Sequence, residues 1–447
     1  MENQIKKVVT LLLLVCLLVS KGMAQSEKMI LEKRDQDYAY LFDLYQHLHR
    51  NPELSFHEEK TSQRIAKELK QVGFEVTEKV GGYGLVGVLK NGEGPTILLR
   101  TDLDGLPVKE ESGKPYASQV KTKDDADKEV SVMHACGHDT HMTTFIGAAR
   151  LLASIKDQWQ GTLVMIGQAA EERSAGARAM LDDGLFTRFP KPDFCVAQHV
   201  SATLEAGKVA YVKGFSMANV NSVDITVRGI GGHGAAPHTT KDPVVLAAQI
   251  VLALQTIVSR EINPTDDAVV TVGSIHGGTK HNIIPNQVKL QLTLRSYKDE
   301  VRQHTIAAIK RICKGLGEAA GLPEELLPIV TVLKKSTPST YNDPELVEQL
   351  RLDLEKVLGA DNVVSTDPVM AGEDFSEYGR TADKIPICLF WLGGVDAEAV
   401  KASRKSGKPL PSLHSPFFAP DPEPTIKTGV ANLVSAVLSL AGKGKGE

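Results

Sequence analysis

Three histidines, a cysteine and an aspartate lie within ten residues, Val132–His141. Cys136 and His138 are two positions apart in this stretch, and thiolate and imidazole are both ligands of zinc and similar divalent metals. A buried cysteine and a hydrogen-bonded histidine are the structural alternative, since both are ordinary core residues. We interpret the stretch as half of a metal site that residues elsewhere in the chain must complete.

Further candidate ligands follow short apolar runs that the sequence predicts as buried strands, at 95–100, 161–167 and 193–197. Such strands place the residues that follow them at one edge of an open α/β sheet, where we expect the side chains to converge. Each residue alone has a structural alternative, such as capping a turn. Jointly they form a hydrolytic two-metal set, in which a shared water is acidified and a carbonyl is polarised. The candidates are Asp102, Asp104, Cys136, His138, Glu171, Glu172, His199 and His414.

The adjacent pair Glu171-Glu172 ends one of these runs. Neighbouring residues in an extended chain point to opposite sides, so one carboxylate can bind metal while the other faces the cavity. Two carboxylates with different surroundings can perform acid and base chemistry at one site. A solvated surface pair is the alternative, but an apolar strand does not lead to such a surface.

The elements that position these residues are those of an α/β domain. Helices are predicted for Leu31–Arg50 and Glu58–Val72, from apolar residues at helical spacing. Asp139 is placed to cap a third helix, which begins beside the candidate ligands. The stretch Lys114–Val130 has no periodicity and predicts an exposed loop.

The pattern of predicted helices and strands changes from about Phe215, where the order becomes β-α-β-β-α-β. We interpret residues 215–334 as an inserted ferredoxin-like α+β domain. Residues 25–214 and 335–447 are then the two parts of one catalytic domain.

Length and charge bound the class of protein. A chain of 447 residues with 42% hydrophobic content is long enough for two domains. Its 51 basic and 55 acidic residues form no basic stripe, which argues against nucleic acid and an anionic membrane surface as partners.

The N-terminus has the pattern of a secretory signal peptide. Lys6 and Lys7 precede an apolar run over 8–20, and Ala24 is the expected cleavage site. A retained anchor is the alternative, but we expect no membrane span in the processed protein, and export to the periplasm or the medium. Two disulfides among Cys136, Cys195, Cys313 and Cys388 are not expected, because the four are widely spread in a chain with an ample core.

A set of motifs resembles the amidohydrolase branch of the aminoacylase and carboxypeptidase-G-like metallopeptidase family, which includes hippurate hydrolase and indoleacetyl-amino-acid hydrolases. The resemblance runs from about Tyr38 to the C-terminal helix. The motifs are Asp102–Pro107, His134–Asp139, Gln168–Glu172, Gln198–Val200, Gly231–Ala235, His281–Pro285, Gly372–Asp374 and Leu413-His414.

The resemblance implies a zinc-exopeptidase-like catalytic domain and a role for each site residue. Glu171 becomes the general base, Asp104 steadies the site, and His233 reaches the site of a neighbouring subunit to stabilise the oxyanion. Asn282 and Arg295 correspond to the family's recognition of an amino acid carboxylate, and the inserted domain to its lid and dimerisation domain. The implied ligands of two divalent ions are Cys136, which bridges them, with His138, Glu172, His199 and His414.

The sequence therefore predicts a metal-dependent amidohydrolase that cleaves N-acyl amino acids. Zinc, manganese, cobalt and nickel all suit these ligands. A dipeptidase or carboxypeptidase on the same scaffold is one alternative, and a non-catalytic binding protein of this fold is another. Compared with the family, the Lys114–Val130 loop is long.

Overall fold

The computed structural model describes residues 27–443. The predicted signal peptide, with its cleavage site after Ala24, lies outside the described residues. The described chain divides into two units. The first contains residues 27–214, 342–366 and 378–443, and the second contains 215–341 and 367–377.

Helices and strands alternate through most of the chain. The helices are α1 (27–50), α2 (Glu59–Gln71), α3 (His138–Ser154), α4 (Gly176–Asp182), α5 (Leu185–Arg188), α6 (Pro243–Thr256), α7 (Asp299–Ala319), α8 (Pro344–Leu358), α9 (Ser376–Gly379), α10 (Ala397–Ser406) and α11 (Pro422–Ala441). The strands are β1 (Glu75–Val80), β2 (Gly84–Asn91), β3 (Thr96–Asp102), β4 (Lys121–Lys123), β5 (Glu129–Ser131), β6 (Gly161–Gln168), β7 (Phe194–Glu205), β8 (Val209–Tyr211), β9 (Gly214–Met217), β10 (Asn219–Arg228), β11 (Gly232–His233), β12 (Ala268–Gly277), β13 (Ile283–Ile284), β14 (Gln287–Ser296), β15 (Ile329–Thr337), β16 (Thr340–Asn342), β17 (Val363–Ser365) and β18 (Ile387–Val395).

The first unit is built on a mixed eight-stranded sheet in the order β1-β2-β6-β3-β7-β18-β8-β17. Its centre, β6-β3-β7-β18, is parallel. Strands β3, β6 and β18 are almost entirely buried, as their continuous apolar runs predict. The register pairs Asp102 with Gln168, so β3 and β6 end side by side. The segments that follow β3 and β6 therefore begin at the same edge of the sheet.

Helices α3 and α11 pack closely against each other beside this sheet. Gly147 on α3 allows this approach, since a Cβ there would lie 2.4 Å from Val430 of α11. Trp159, Tyr45 and Phe145 are among the largest fully buried side chains of this core. The tight packing fixes the N-terminus of α3, which carries the candidate ligands.

The second unit is a four-stranded antiparallel sheet in the order β12-β14-β10-β15, packed against α6 and α7. The chain order β10-α6-β12-β14-α7-β15 is the ferredoxin-like arrangement. The predicted fold class, an α/β catalytic domain with an inserted α+β domain, is confirmed.

The predicted boundaries of the insertion, 215–334, differ from those of the second unit. Strand β15 continues to Thr337, which pairs with Val220 of β10, so the unit extends to residue 341. Residues 367–377 also belong to it, because the Ala218 amide donates to the carbonyl of Ala371. Backbone pairing over such a separation leaves no local signal in the sequence.

Two further expectations need correction. The predicted loop Lys114–Val130 contains the hairpin β4–β5, while Ser118 within it is buried. Strand β7 continues past its predicted end, so His199 lies within a strand instead of after one. All four cysteines in the described part of the chain are buried free thiols.

Candidate metal centre and active site

Cys136 lies in the turn before α3, and His138 is the first residue of this helix. Gly137, between them, has φ +83°, and a Cβ there would lie 2.4 Å from Cγ1 of Val200. Only glycine therefore allows the turn to approach β7, where His199 lies.

Five predicted ligands converge as two groups that share one sulfur atom. Cys136, His138 and His199 form one group, and Cys136, Glu172 and His414 form the other, with all ligand atoms of a group within 4.8 Å of one another. The Cys136 Sγ lies 3.4 Å from Nε2 of His199 and 3.3 Å from Nε2 of His414. Zinc–sulfur and zinc–nitrogen bonds of about 2.3 and 2.0 Å place such atoms roughly 3.5 Å apart around one tetrahedral ion. The spacing therefore fits two ions that share the thiolate.

Hydrogen bonds orient two of the imidazoles for this role. Nδ1–H of His138 donates to the carbonyl of Asp104 at 2.8 Å, and Nδ1–H of His199 donates to that of Val200 at 2.8 Å. Each Nε2 is then the nitrogen left for a metal, which would take the place of any proton there. The Nε2 of His138 is buried without a hydrogen-bond partner in the described chain, which is costly unless a cation binds there.

His141 lies beside the centre but cannot serve as a ligand in this arrangement. Its Nδ1–H donates to Asp102 at 2.7 Å, and its Nε2 accepts the amide of Val200 at 2.8 Å, so both nitrogens are occupied. Asp102 also accepts from Arg100 at 2.7 Å. His134 is buried with neither ring nitrogen hydrogen-bonded within residues 27–443.

The electrostatics of the centre favour a cation. Burial raises the pKa of the Cys136 thiol, and the charges of Glu172, Glu171 and Asp102 raise it further. Burial lowers the pKa of His138, but Asp102 and Asp104 outweigh it and raise the pKa to about 10. Burial lowers the pKa of His199 and keeps it neutral. Divalent ions would supply the positive charge that this group of carboxylates attracts, and would bind the thiolate in place of its proton.

Glu171 and Glu172 lie in the turn after β6. Glu171 Oε2 and Glu172 Oε1 each lie 3.9 Å from Nε2 of His138. Glu172 Oε1 is also 3.4 Å from Nε2 of His414, whereas Glu171 is absent from both groups that share Cys136. Glu171 is thus beside the centre, where a base that acts on water would lie.

Comparison with known proteins places this centre in a family. A model of peptidase family M20/M25/M40 matches residues 98–405. The chain belongs to this family. It is 35% identical to thermostable carboxypeptidase 2 of Saccharolobus solfataricus over 405 residues, which cover 90% of this chain and 95% of that protein. It is 38% identical to hippurate hydrolase of Campylobacter jejuni over 333 residues, 74% of this chain and 82% of that one.

A solved structure of the same family extends the likeness to the fold. The chain superposes on the Bacillus subtilis YXEP protein, a dinuclear metal binding peptidase of the M20 family, with a TM-score of 0.72 at 27% identity. The match covers 91% of this chain and 99% of that one. Dinuclear metal binding is typical of the family, and the predicted family is confirmed. The protein is a metal-dependent M20 hydrolase acting on C–N bonds, so the non-catalytic alternative does not apply.

Asp139 is predicted to cap α3, but the structure places it elsewhere. The helix begins at His138 with Gly137 as its N-cap, so Asp139 lies in the first turn. Its carboxylate instead accepts from Nδ1 of His49 at 2.6 Å, while Nε2 of His49 donates to Glu110 at 2.9 Å. All three residues are buried. The network ties α1 and the segment after β3 to the helix that carries His138.

Sequence reasoning missed His49, although it left a signal. His49 is four residues after Tyr45 and eight after Leu41, on the inward face of α1. A histidine on an apolar face indicates a buried polar partner. Glu58 is a second omission, since it lies seven residues before Ile65 on the inward face of the next helix.

The predicted substrate-binding residues lie in the second unit. His233 and Asn282 are neighbours, because the amide of Gly234 donates to the carbonyl of Asn282 at 2.9 Å. Nδ1 of His233 accepts the Ala235 amide, which leaves Nε2–H as its outward donor. Arg295, on β14, has a buried NH1 group with no hydrogen-bond partner in the described chain. Their roles towards a substrate stay predictions.

The His49 network predicts a pH-dependent stability. Burial alone lowers the pKa of His49, but Asp139 and Glu110 raise it to about 9, above the unfolded value of about 6.5. The stabilisation is therefore complete below pH 6.5 and is lost as the pH rises through 9. We expect His49→Gln to lower the free energy of unfolding by about 3 kcal/mol at pH 6 and by less at pH 9.5, measured by urea titration.

His47→Gln is the matched control, because His47 is an exposed histidine on the same helix. Its free energy of unfolding should stay close to that of the wild type at both pH values. Equal losses for His49→Gln at pH 6 and pH 9.5 would contradict a charged imidazole between the two carboxylates.

Proposed function

We propose that the chain hydrolyses the amide bond of N-acyl amino acids and releases a carboxylic acid and a free amino acid. The observation that carries this is the pair of ligand groups sharing Cys136, with Glu171 beside them. Hydrolysis of hippurate by a relative 38% identical supports an acyl amino acid as substrate. Net charge is close to balanced, with 51 basic and 55 acidic residues, so substrate choice rests on the site.

Cys136, His138, Glu172, His199 and His414 would hold two divalent ions, of zinc, manganese, cobalt or nickel. Bound there, the ions would supply the Lewis acidity that acidifies water and polarises the amide carbonyl. His138 and His199 keep their Nε2 atoms available through the hydrogen bonds of Nδ1. Asp102 and Asp104 hold the surrounding residues in place.

Glu171 is the proposed general base. Its carboxylate takes a proton from the attacking water as the C–O bond forms, and gives that proton to the nitrogen as the C–N bond breaks. His233, reaching the site of a neighbouring subunit, would stabilise the oxyanion there through Nε2–H, the nitrogen that its own backbone leaves available. Asn282 and Arg295 would recognise the carboxylate of the amino acid. The NH1 group of Arg295, which has no hydrogen-bond partner among residues 27–443, supports this role.

Carboxypeptidase or dipeptidase activity is the second candidate. The 35% identity to thermostable carboxypeptidase 2 over 90% of this chain favours it. Both activities break an amide bond beside an amino acid carboxylate, so the same centre serves either. The group on the carbonyl side of the bond distinguishes them.

We further propose a homodimer formed through the second unit. Residues 243–261 form an apolar helical stretch, which by length and composition alone could cross a membrane. Its apolar residues are therefore more than its packed face requires. One face of it, with Leu246 and Ile250, packs in the core of the unit. The other exposes Val245 by 56% and Leu252 by 72%. Strand β12 is an edge of the adjoining sheet, and an apolar helix beside a free edge suits a two-fold contact between copies.

The metal and base assignments predict different losses. Glu171→Gln should retain its bound metal while kcat falls by about 10²–10⁴-fold, because the proton acceptor is lost. Cys136→Ala should lose metal, because both ligand groups contain this sulfur. Metal content by mass spectrometry and initial rates measure both effects. Cys195→Ala, a buried cysteine of β7, is the control that should retain both metal and activity.

The substrate class is tested with a panel of N-acyl amino acids and unblocked dipeptides, assayed with protein of known metal content. We expect kcat/KM to be higher for acyl substrates such as hippurate than for dipeptides of the same C-terminal residue. The opposite order would favour the carboxypeptidase or dipeptidase candidate. Hydrolysis of neither class would overturn the proposal.

The dimer predicts a mass of two chains in sedimentation velocity. Leu252→Lys places a charge on the exposed face of α6 and should shift the protein towards a folded monomer, with its circular dichroism spectrum unchanged. Lys310→Leu on the neighbouring helix α7 is an exposed control that should leave the mass unchanged. A wild-type monomer at micromolar concentration would contradict the proposal.

A further inference from the structure

The turn that carries Glu171 has an unusual backbone. Ala170, directly before Glu171, has φ +54°, and Ser174 at the end of the turn has φ +47°. Neither is a glycine, and side chains disfavour this region of φ. Such a conformation persists only where the surroundings hold it. The residues that hold the turn therefore decide where the Glu171 carboxylate points.

Two buried carboxyl groups hold three successive amides of this turn. Asp104 accepts the amide of Glu171 at 3.3 Å and that of Glu172 at 3.0 Å. Glu58 accepts the amide of Ala170 at 2.7 Å through Oε1. Asp104 thus holds the amides of the proposed base and of a proposed metal ligand. Glu58 holds the amide of Ala170, the residue with positive φ directly before them.

The position of Glu58 is fixed by the start of α2 and by burial. It is the N-cap residue of α2, its backbone carbonyl accepts the Ser62 amide, and its side chain is 0% exposed. Its second oxygen, Oε2, has no hydrogen-bond partner in the described part of the chain. Burial raises the pKa of Glu58 to about 8, and the charge of Asp104 adds to the increase. The amide of Ala170 is thus the hydrogen-bond partner of the Glu58 side chain in the described residues.

We propose that Glu58 is a positioning residue for the reaction, which fixes the direction of Glu171 by holding the amide of Ala170. The inference rests on the proposed function, in which Glu171 is the general base. Glu58 itself touches neither substrate nor metal in this role. A purely structural role is the alternative, in which Glu58 satisfies one amide and contributes to folding alone.

The test compares variants that keep or remove the acceptor. Glu58→Gln keeps an oxygen at the Oε1 position that can accept the Ala170 amide, and should retain kcat within about threefold. Glu58→Met removes the acceptor at similar volume and should lower kcat about 10²-fold with little change in KM, since small displacements of a catalytic group cost this much. Glu58→Asp, which withdraws the carboxyl group by one methylene, should fall between them and serves if the methionine variant does not fold.

Glu59→Met is the matched control, because Glu59 is the exposed neighbour in the first turn of α2. All variants are assayed at pH 7 with metal content and thermal midpoint measured alongside kcat and KM. Wild-type kcat in Glu58→Met or Glu58→Asp, or a loss matched by lost metal or unfolding, would overturn the proposal. An equal loss in Glu58→Gln and Glu58→Met would also overturn it, because the acceptor would not be what matters.

Hydrogen exchange at the Ala170 amide separates this inference from the assignment of Glu171. We expect exchange in a peptide spanning residues 169–175 to be faster in Glu58→Met than in the wild type, and unchanged in Glu58→Gln. This readout does not depend on turnover. Full activity in Glu171→Gln would reject Glu171 as the base, whereas unchanged exchange in Glu58→Met would reject the hold of Glu58 on the turn.

Discussion

Buried negative charge is the constraint on which the first unit depends. Asp102, Asp104, Glu110 and Asp139 are all within the protein, where an unpaired carboxylate is very costly. Arg100 compensates Asp102, to which His141 also donates a hydrogen bond, and His49 lies between Glu110 and Asp139. Nε2 of His138 points into the same region without a protein partner in the described chain. A pair of divalent cations held by the proposed ligands would complete this balance of charge.

The supporting residues come from elements that are distant in sequence. His49 ends α1, Glu58 precedes α2, and Asp104 follows β3, yet each contacts a segment that carries a ligand or the proposed base. Packing of α3 against α11 holds α3, and so the ligand at its N-terminus, in place. The ligands themselves are therefore a small part of what the chain must place correctly.

Much of this arrangement could be predicted because it leaves local signals. Apolar runs ending in Asp102 and Glu171 identified β3 and β6, and the combination of Cys136, His138 and Glu172 identified the chemistry. The ferredoxin-like order of the second unit followed from alternating periodicities. These features depend on residues close together in sequence.

The rest depends on contacts that sequence patterns do not record. Aspartate is a residue type typical of helix N-caps, but the Asp139 carboxylate accepts a hydrogen bond from His49, ninety residues away. The segment 367–377 joins the second unit through backbone bonds to 216 and 218, which any residue type can make. Glu58 has the appearance of an ordinary helix-start residue until its bond to Ala170 is seen.

The most direct test of the central claim is a crystal structure of the metal-loaded protein with anomalous scattering from the bound ions. Two anomalous peaks per chain are predicted, both within bonding distance of the Cys136 sulfur, one also bound by His138 and His199 and the other by Glu172 and His414. A single fully occupied peak, or two peaks that do not share Cys136, would contradict the account.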